Sequence, residues 1–551
     1  MKLKRMLAMA LAIVMMLIFA SCTTTPAPQA TPTATTGGAA SPAATSGSTA
    51  APVESSDPVA DGFSYPMEGN PTLTWWMGLT NSAYNDNNAN LPLYKALMEQ
   101  TGVTIEFQHP TVGQEQESFN LMLAGGTYPD IIEQNYQDAG KLLDDGIIID
   151  LTDLYPQYAP NLYNWLQENP NIDMQTKNDD GQYLLFGFYR PDPLLQVSSG
   201  PIVRLDFLEK LNINPADITT IDEWTDLLIR FRDELNIQYP FSTDGVGNTR
   251  RLQYAFETGF DFFNENGTIE YGILRPGYRD FLELANMWHS EGLLDPNYST
   301  NTKDDLTALW LTGKTGLTYG SGGSYIGQWI TAGSEDPDFK TGGLTYPVLN
   351  EGDVNYHGLN VQFDFSNANS WFMISSQCQN VEAAMRLLDY GYSEEGHILY
   401  NFGVEGESFE YINGEPIYLP EMFNHPEYNL STALAFYVRA TGSGPFQQDP
   451  GYILQYYEYD EQKEALGRWA GETQQHQSTK LPPIVFTTEA STEVANIMSD
   501  IKTYIAEEEI KFIMGTRSLD TFDDFIAQIK SMNIDRAIEL YQAALNKYYE
   551  R

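Results

Sequence analysis

The chain has 551 residues, 74 of them acidic and 30 basic, for a formal net charge of −44, and 13% of its residues are aromatic. An acidic excess of this size excludes nucleic-acid binding, because phosphate repulsion would dominate every encounter. Two cysteines cannot supply a disulfide framework, and six scattered histidines show no metal-ligand spacing, so neither metal nor cofactor is expected.

The first element is a leader. Lys2, Lys4 and Arg5 precede an apolar run over 7–19, and small Ala20 and Ser21 precede Cys22. A run this short behind a basic start reads as a secretory signal rather than a membrane span. Its end, FASC, resembles the lipobox of bacterial lipoproteins, with Phe19 where an aliphatic residue is usual. That resemblance implies a signal peptide over 1–21, cleavage before Cys22, diacylation of its thiol and a place on the outer face of the cell membrane. Residues 23–61 hold almost no large apolar side chain and are rich in Thr, Pro, Ala, Ser and Gly. They cannot offset the entropy of ordering, so 22–61 is expected to be a lipidated cysteine followed by an extended linker.

About 490 residues follow, too many for one core, so two or three domains are expected. PTLTWWMG (71–78) predicts a strand with Trp75 and Trp76 near its end. LPLYKALMEQTG predicts a helix stopped by Gly102, VTIEFQHP a strand, EQESFNLMLAGG a helix, YPDIIEQ a third strand and AGKLLDDG a short helix. Strand, helix, strand, helix, strand is the pattern of a parallel α/β sheet, and ligands then sit beyond the carboxyl ends of the strands. Trp75, Trp76, Gln134 and Tyr136 fall near such ends. GQYLLFGFY (181–189) predicts a strand, PIVRLDFLEKL a strand running into a helix, and TTIDEWTDLLIRFRDEL a helix capped near Thr220. GYRDFLELANMWHSEGLLDP predicts a further helix, NVEAAMRLLDYGYSEEGHILYNFG (380–403) one long amphipathic helix, and the last thirty residues two helices joined by a glycine-free turn. Cys378, beside an apolar run, reads as a buried thiol rather than a nucleophile.

TGVTIEF, FNLMLAGGTYPDII, LLDDGIIIDLTDL, TIDEWTDLL, SEGLLDP, SEEGHILYNFGVEGESFEYINGEPIY and YQAALNKYY occur in this order over nearly all of 70–551. Together they resemble the large lipoprotein branch of the family 1 extracellular solute-binding proteins, which serve ABC importers, mostly for carbohydrates, in Gram-positive bacteria. The resemblance implies an α/β, two-lobed periplasmic-binding-protein-like fold of type II, with the chain crossing between lobes and extra C-terminal helices. It implies a first lobe over 65–190 and 368–398, a second over 191–367 and 399–490, and helices over 491–551 packed alongside. The partners implied are an oligosaccharide or other small solute, the permease subunits of the importer, and the membrane through the N-terminal lipid; a monomer is expected. Relatives sometimes carry a calcium loop after the helix aligned with 220–235. Here that region reads ELNIQYPFSTDG, and no such site is expected.

A sugar offers apolar ring faces and a rim of hydroxyls, so its receptor needs aromatic platforms and planar polar groups. Trp75 and Trp76 are adjacent on a strand and point to opposite faces, so at most one reaches a cleft. Asn81 and Tyr84 follow in a polar loop that is either a rim or merely solvated. Arg190 falls at the implied crossing between lobes. Arg204 is either a fork toward a ligand or a partner of Asp206 or Glu209. Trp310, Tyr319, Trp371 and Tyr136 are further aromatic candidates, Trp371 the best placed because it precedes the returning strand. Glu405 is an acid typical of the family, in a turn or at the ligand. TGKTG (312–316) lacks the first glycine of a phosphate loop. Two other functions stay open: a secreted glycosidase, for which 74 acidic residues would furnish a carboxylate pair by chance, and a receptor for a non-sugar solute such as a peptide or lipid precursor.

Overall fold

The structure, a computed structural model, describes residues 63–134, 139–353, 356, 371–473 and 479–551. All of these lie within one unit, Pro58–Arg551. Cys22, the leader, the linker and Tyr136 fall outside the described residues.

Strands β1 (Thr72–Trp76), β2 (Thr104–Gln108) and β3 (Ile131–Gln134) alternate with helices Pro92–Thr101 and Glu115–Gly125, as the sequence periods predict. Both helices stop at a glycine in the left-handed region, Gly102 at φ 72° and Gly126 at φ 68°. A Cβ at Gly102 would also approach the Met67 backbone nitrogen to 2.8 Å, so this stop is fixed by packing as well as by conformation. The chain then crosses through β4 (Phe188–Tyr189) and lays down β5 (Ser199–Arg204), the hairpin β6 (Phe262–Glu265) and β7 (Thr268–Tyr271), then β8 (Leu317–Ser321) and β9 (Thr341–Gly343). It returns for β10 (Trp371–Ile374), makes the hairpin β11 (Phe409–Ile412) and β12 (Glu415–Tyr418), and crosses again through β13 (Phe446–Gln447).

The first sheet has the order β10-β3-β1-β2, with β1, β2 and β3 parallel and β10 antiparallel at the edge. The second has β5 in the middle, antiparallel to both β8 and β9. β4 and β13 pair with each other in parallel. Each sheet has its own hydrophobic core. Leu73, Trp75, Tyr94, Ile131, Phe186 and Phe372 belong to the first; Val203, Trp224, Trp288, Trp310, Trp329 and Trp469 to the second. Helices Thr488–Ile513, Phe522–Ser531 and Ile534–Tyr548 bury Ile501, Phe525 and Leu545 in the second core. The helix Ile221–Asp233 begins with a full capping box, the Thr220 hydroxyl accepting from the Glu223 N–H and the Glu223 carboxylate accepting from the Thr220 N–H.

Three sequence expectations are corrected. The segment 399–490 does not pack as one piece of the second lobe. Leu399, Tyr400 and Phe446 join the first core, while Phe402, Phe409, Tyr418 and Leu434 form a small cluster of their own. What holds this segment is the buried Arg439, whose Nη2 donates to Glu133 of β3 at 2.7 Å and whose Nη1 donates to the Tyr94 hydroxyl at 2.6 Å. Only helix Asp460–Thr473, through Ala465 and Trp469, enters the second core. The long helix over 380–403 is two helices, Val381–Asp389 and Glu394–Phe402, because Ser393 caps a fresh start by accepting from the Gly396 N–H. Of 181–189 only the last two residues form a ladder; Phe186 makes a single bridge to Phe372. The glycine-free turn near the end is real, and Asn533 takes the left-handed position at φ 66°.

Candidate functional site

Parallel strands β1, β2 and β3 end at Trp76, Gln108 and Gln134, so these residues share the carboxyl edge of the first sheet. Phe186 bridges Phe372 antiparallel, and β10 is itself antiparallel to β3. The chain at 186–189 therefore runs with β1–β3, and Arg190 leaves at the same edge. β13 runs parallel to β4, which puts Gln448 beside Arg190. From that edge two short crossings, 190–198 and 448–459, lead into the second core. There they meet the end of the second sheet that holds Ser199 of β5 and Ser321 of β8, which pair in register, together with Tyr346 just beyond β9. The Tyr346 hydroxyl donates to the Ser199 carbonyl, and its N–H donates to the Glu472 carboxylate at 2.9 Å. The carboxyl edge of an open α/β sheet is where ligands bind, and here it adjoins two chain segments that join the two cores.

Trp76, Gln134, Trp371 and Arg190 are brought to this edge. Trp371 of β10 is in register with Gln134 and only partly buried. The indole nitrogens of Trp76 and Trp371 are buried without a hydrogen-bond partner among the described residues, as are those of the core residues Trp75, Trp224 and Trp310. Asn81 and Tyr84 lie in the loop that follows β1, at the same end of the sheet. Asn81 takes φ 49° and its amide donates to the Thr432 carbonyl at 3.1 Å. Tyr84 is 58% exposed and meets the Tyr428 ring edge-on at 4.7 Å, and His425 stacks on Tyr428 at 4.6 Å. The loop after β1 thus meets a cluster of rings at this end of the sheet.

The Arg190 Nε donates to the Gln448 side-chain oxygen at 3.1 Å, and the guanidinium lies 4.9 Å from the centre of the Phe188 ring. Burial pulls its pKa down to about 10. Beside the crossing, His397 and Asp449 pair at 2.9 Å. Against the burial that would raise it, His397 and the Gly451 N–H hold the Asp449 carboxyl below its ordinary value.

Other candidates are placed elsewhere. Trp75 is 1% exposed, packed within 6.5 Å of the rings of Tyr94, Phe107 and Phe372, and belongs to the first core. Arg204 is buried and structural: it grips Asp206 through two bonds of 2.7 and 2.9 Å and donates to the Trp310 carbonyl at 2.8 Å. Phe207 and Phe339 lie 4.3 and 4.4 Å from its guanidinium. Trp310 stacks on Trp329 at 4.4 Å, fully buried, and Tyr319 is likewise inside the second core. Glu405 is exposed in the turn before β11, where it bridges Phe409, and no ladder brings it to the edge. Burial pushes the Cys378 thiol up to about 12, so it is not a nucleophile at neutral pH.

Several edge residues escaped the sequence reading. Tyr452, Tyr456 and Tyr457 line the second crossing, and a Cβ on Gly322 would stand 3.0 Å from the Tyr457 ring. The tyrosine run GYILQYYEYD was the visible signal. Gln448, Tyr346 and Arg251 carried none, because nothing local in the sequence marks them. Together these side chains offer aromatic faces, amides, hydroxyls and a guanidinium, the set that a hydroxyl-rich ring requires. Among the described residues no helix is long and apolar enough to cross a membrane, and no three His, Cys, Asp or Glu side chains group as metal ligands.

Residues 37–398 match the family described as bacterial extracellular solute-binding protein. The chain is 20% identical over 537 residues to the fructooligosaccharide ABC transporter substrate-binding protein FusA of Streptococcus pneumoniae, covering 90% of this chain and 93% of that one. It is 24% identical over 344 residues to the lipoprotein LipO of Bacillus subtilis, which spans 59% of this chain and 65% of LipO. Among solved structures, an HMO-binding, ABC-transporter-associated solute-binding protein from Bifidobacterium longum infantis superposes with a TM-score of 0.68 at 17% identity, over 87% of this chain and 99% of that one. The alginate-binding protein AlgQ2 superposes with a TM-score of 0.65 at 20% identity, over 88% and 99%. These likenesses give the fold: a two-lobed α/β protein.

Proposed function

Because the chain belongs to the bacterial extracellular solute-binding protein family, we propose that it captures an oligosaccharide between its two lobes and delivers it to the permease of an ABC importer. The observation that carries this reading is the edge itself. Trp76, Trp371, Gln134, Arg190 and the crossing tyrosines converge where the two cores are joined, and Tyr84 with Tyr428 forms a rim. FusA, similar over nearly its whole length, is named for fructooligosaccharides, which supports a sugar as the class of solute.

The lobes proposed follow the cores. The first comprises 65–190, 368–398 and the segment to 446; the second comprises 191–367 and 460–490, with the helices of 491–551 packed on it. Capture would work by closure about the crossings, the ligand favouring the closed arrangement by its contacts to both lobes. No catalytic role is assigned to any residue. Cys22 would carry the lipid and 23–61 would tether the body, which agrees with the likeness to a lipoprotein. Cys22→Ala is then expected to move the protein from the cell surface into the medium, read by fractionation and immunoblot.

The test is titration calorimetry of a body beginning at residue 63 against a panel of oligosaccharides, with peptides as the competing class. Saturable binding of one sugar class, with no product formed on prolonged incubation, supports the receptor. Binding of peptides alone would move the assignment to a non-sugar solute, and release of shortened sugars would move it to a glycosidase.

A further inference from the structure

With 74 carboxylates against 30 cations in the chain, a carboxylate is available to almost any arginine, and the described residues bear this out. Arg204, Arg230, Arg232, Arg250, Arg275, Arg279, Arg386, Arg439, Arg517, Arg536 and Arg551 each have one within ion-pair distance. Arg468 lies near Glu472 and acts on its carboxyl. Among the described residues, three arginines thus have no carboxylate within ion-pair distance, Arg190, Arg251 and Arg468, and of these Arg190 and Arg251 hydrogen-bond to neutral amides in the candidate site.

Arg190 sits at the carboxyl edge of the first sheet. Only its Nε is engaged, by the neutral side chain of Gln448 at 3.1 Å, and among the described residues its two terminal nitrogens meet no acceptor. Arg251 is on the second lobe. Its Nε donates to the neutral amide oxygen of Asn248 at 3.0 Å; burial raises the phenols of Tyr254, Tyr319 and Tyr346, and the nearby Arg251 charge offsets part of that rise. Tyr346 is the residue whose hydroxyl holds Ser199 at the start of β5. One part-buried guanidinium therefore belongs to each lobe, and among the described residues each is hydrogen-bonded through its side chain only to a neutral amide. Taking a cation out of water without an opposite charge is costly, and a guanidinium fork matches a carboxylate bidentately.

Resting on the reading of the site as a sugar receptor, we propose that its ligand carries a carboxylate, as an acidic oligosaccharide does, and that Arg190 and Arg251 are the residues that select for it. The general acidity of the surface does not oppose this, because at physiological salt a surface charge is screened within about 8 Å, whereas a part-buried pair is screened much less. Arg190 is the primary contact, since it lies at the edge with two nitrogens of its fork unused. Arg251 is the contact from the opposite lobe and would engage on closure.

The experiment is calorimetry with the body from residue 63, titrated with uronate-containing and sialylated oligosaccharides and with the methyl esters of the same molecules, which keep every hydroxyl and lose only the charge. The expected result is binding of one acidic class, with the ester weaker by on the order of 30-fold or more. Uronate and sialylated arms differ in the placement of the carboxylate, so the arm that binds names the source. Arg190→Gln and Arg251→Gln should each weaken the acidic ligand by a similar factor and weaken its ester far less. Arg190→Lys, which keeps the charge and loses the fork, should fall between. An unchanged melting temperature for each unliganded variant separates a lost contact from a damaged crossing. Equal binding of acid and ester, or tight binding of neutral sugars that is indifferent to Arg190→Gln, overturns this proposal and leaves the receptor reading standing. Binding of no sugar at all overturns both.

Discussion

At the scale of single residues, the buried ionisable groups make the sharpest statements. Asp389 is 1% exposed, yet it accepts from the N–H groups of Asn161 and Leu162 at the start of helix Pro160–Glu168, at 3.1 and 2.8 Å, and from the Asn161 amide at 2.9 Å. Burial nonetheless pushes its pKa up to about 7. The native state therefore holds a proton that the unfolded chain releases near pH 4. The stability this proton contributes is complete below that value and is lost as pH rises through 7, a difference on the order of 4 kcal/mol. Asp389→Asn keeps a capping oxygen and removes the titration. Urea midpoints from pH 5 to 8 should fall more steeply in the parent than in this variant; parallel curves would show that Asp389 stays ionised throughout. Arg439 and Glu133 make a second statement, because removing one partner strands the other inside the protein. Arg439→Met should cost about 3–5 kcal/mol of unfolding free energy. Replacing both by apolar residues should recover most of it, as measured by the same denaturant titration.

At the scale of elements, the junction near Gly391 decides how the chain returns to its first core. The sequence over 380–403 has one continuous helical period, yet the chain turns at Tyr390–Tyr392. A Cβ on Gly391 would stand 2.0 Å from the carbonyl oxygen of Pro445, immediately before β13. The turn is therefore set by a partner more than fifty residues away. Gly391→Ala should destabilise by about 1–3 kcal/mol through overpacking, and it should loosen the β4–β13 crossing, read as faster amide exchange at Phe446 and Gln447.

The same contrast explains what could be read from the sequence. The alternation of β1 to β3 with their helices, the Gly102 and Gly126 stops and the Thr220 cap are local features, written in spacing and in the conformations that glycine and threonine favour. The Arg204–Asp206 pair was also legible, two residues apart. Its third partner, the Trp310 carbonyl, was not, and that contact is what buries the arginine. Trp75, Trp310 and Tyr319 look like Trp371 in any window of sequence, yet they are buried in the cores while Trp371 is only partly buried at the edge; Trp76, at the end of β1, is itself packed into the first core. Arg190 and Arg251 matter because, among the described residues, no carboxylate comes within ion-pair distance of them, and no linear pattern records that.

At the scale of the whole molecule, capture by closure requires that the two cores rotate about the short crossings that join them. Stiffness then resides in tethers such as the one at the last helix. Arg551 and Lys547 both reach Asp179 of the first-core side, Arg551 at 2.7 Å and with only 1% of its side chain exposed. Arg551→Ala should lower the denaturant midpoint and raise the radius of gyration of the unliganded body, since it removes a link between cores away from the crossings. A midpoint and radius unchanged from the parent would show that the link restrains nothing.

Small-angle scattering of the body from residue 63, titrated with the oligosaccharide that binds in calorimetry, tests the central claim most directly, because capture between lobes requires that they close. The account predicts a saturable fall in the radius of gyration at the calorimetric stoichiometry, abolished by Trp76→Ala together with Trp371→Ala. Binding with no change of radius, or a change that survives loss of both indoles, would contradict capture at this edge.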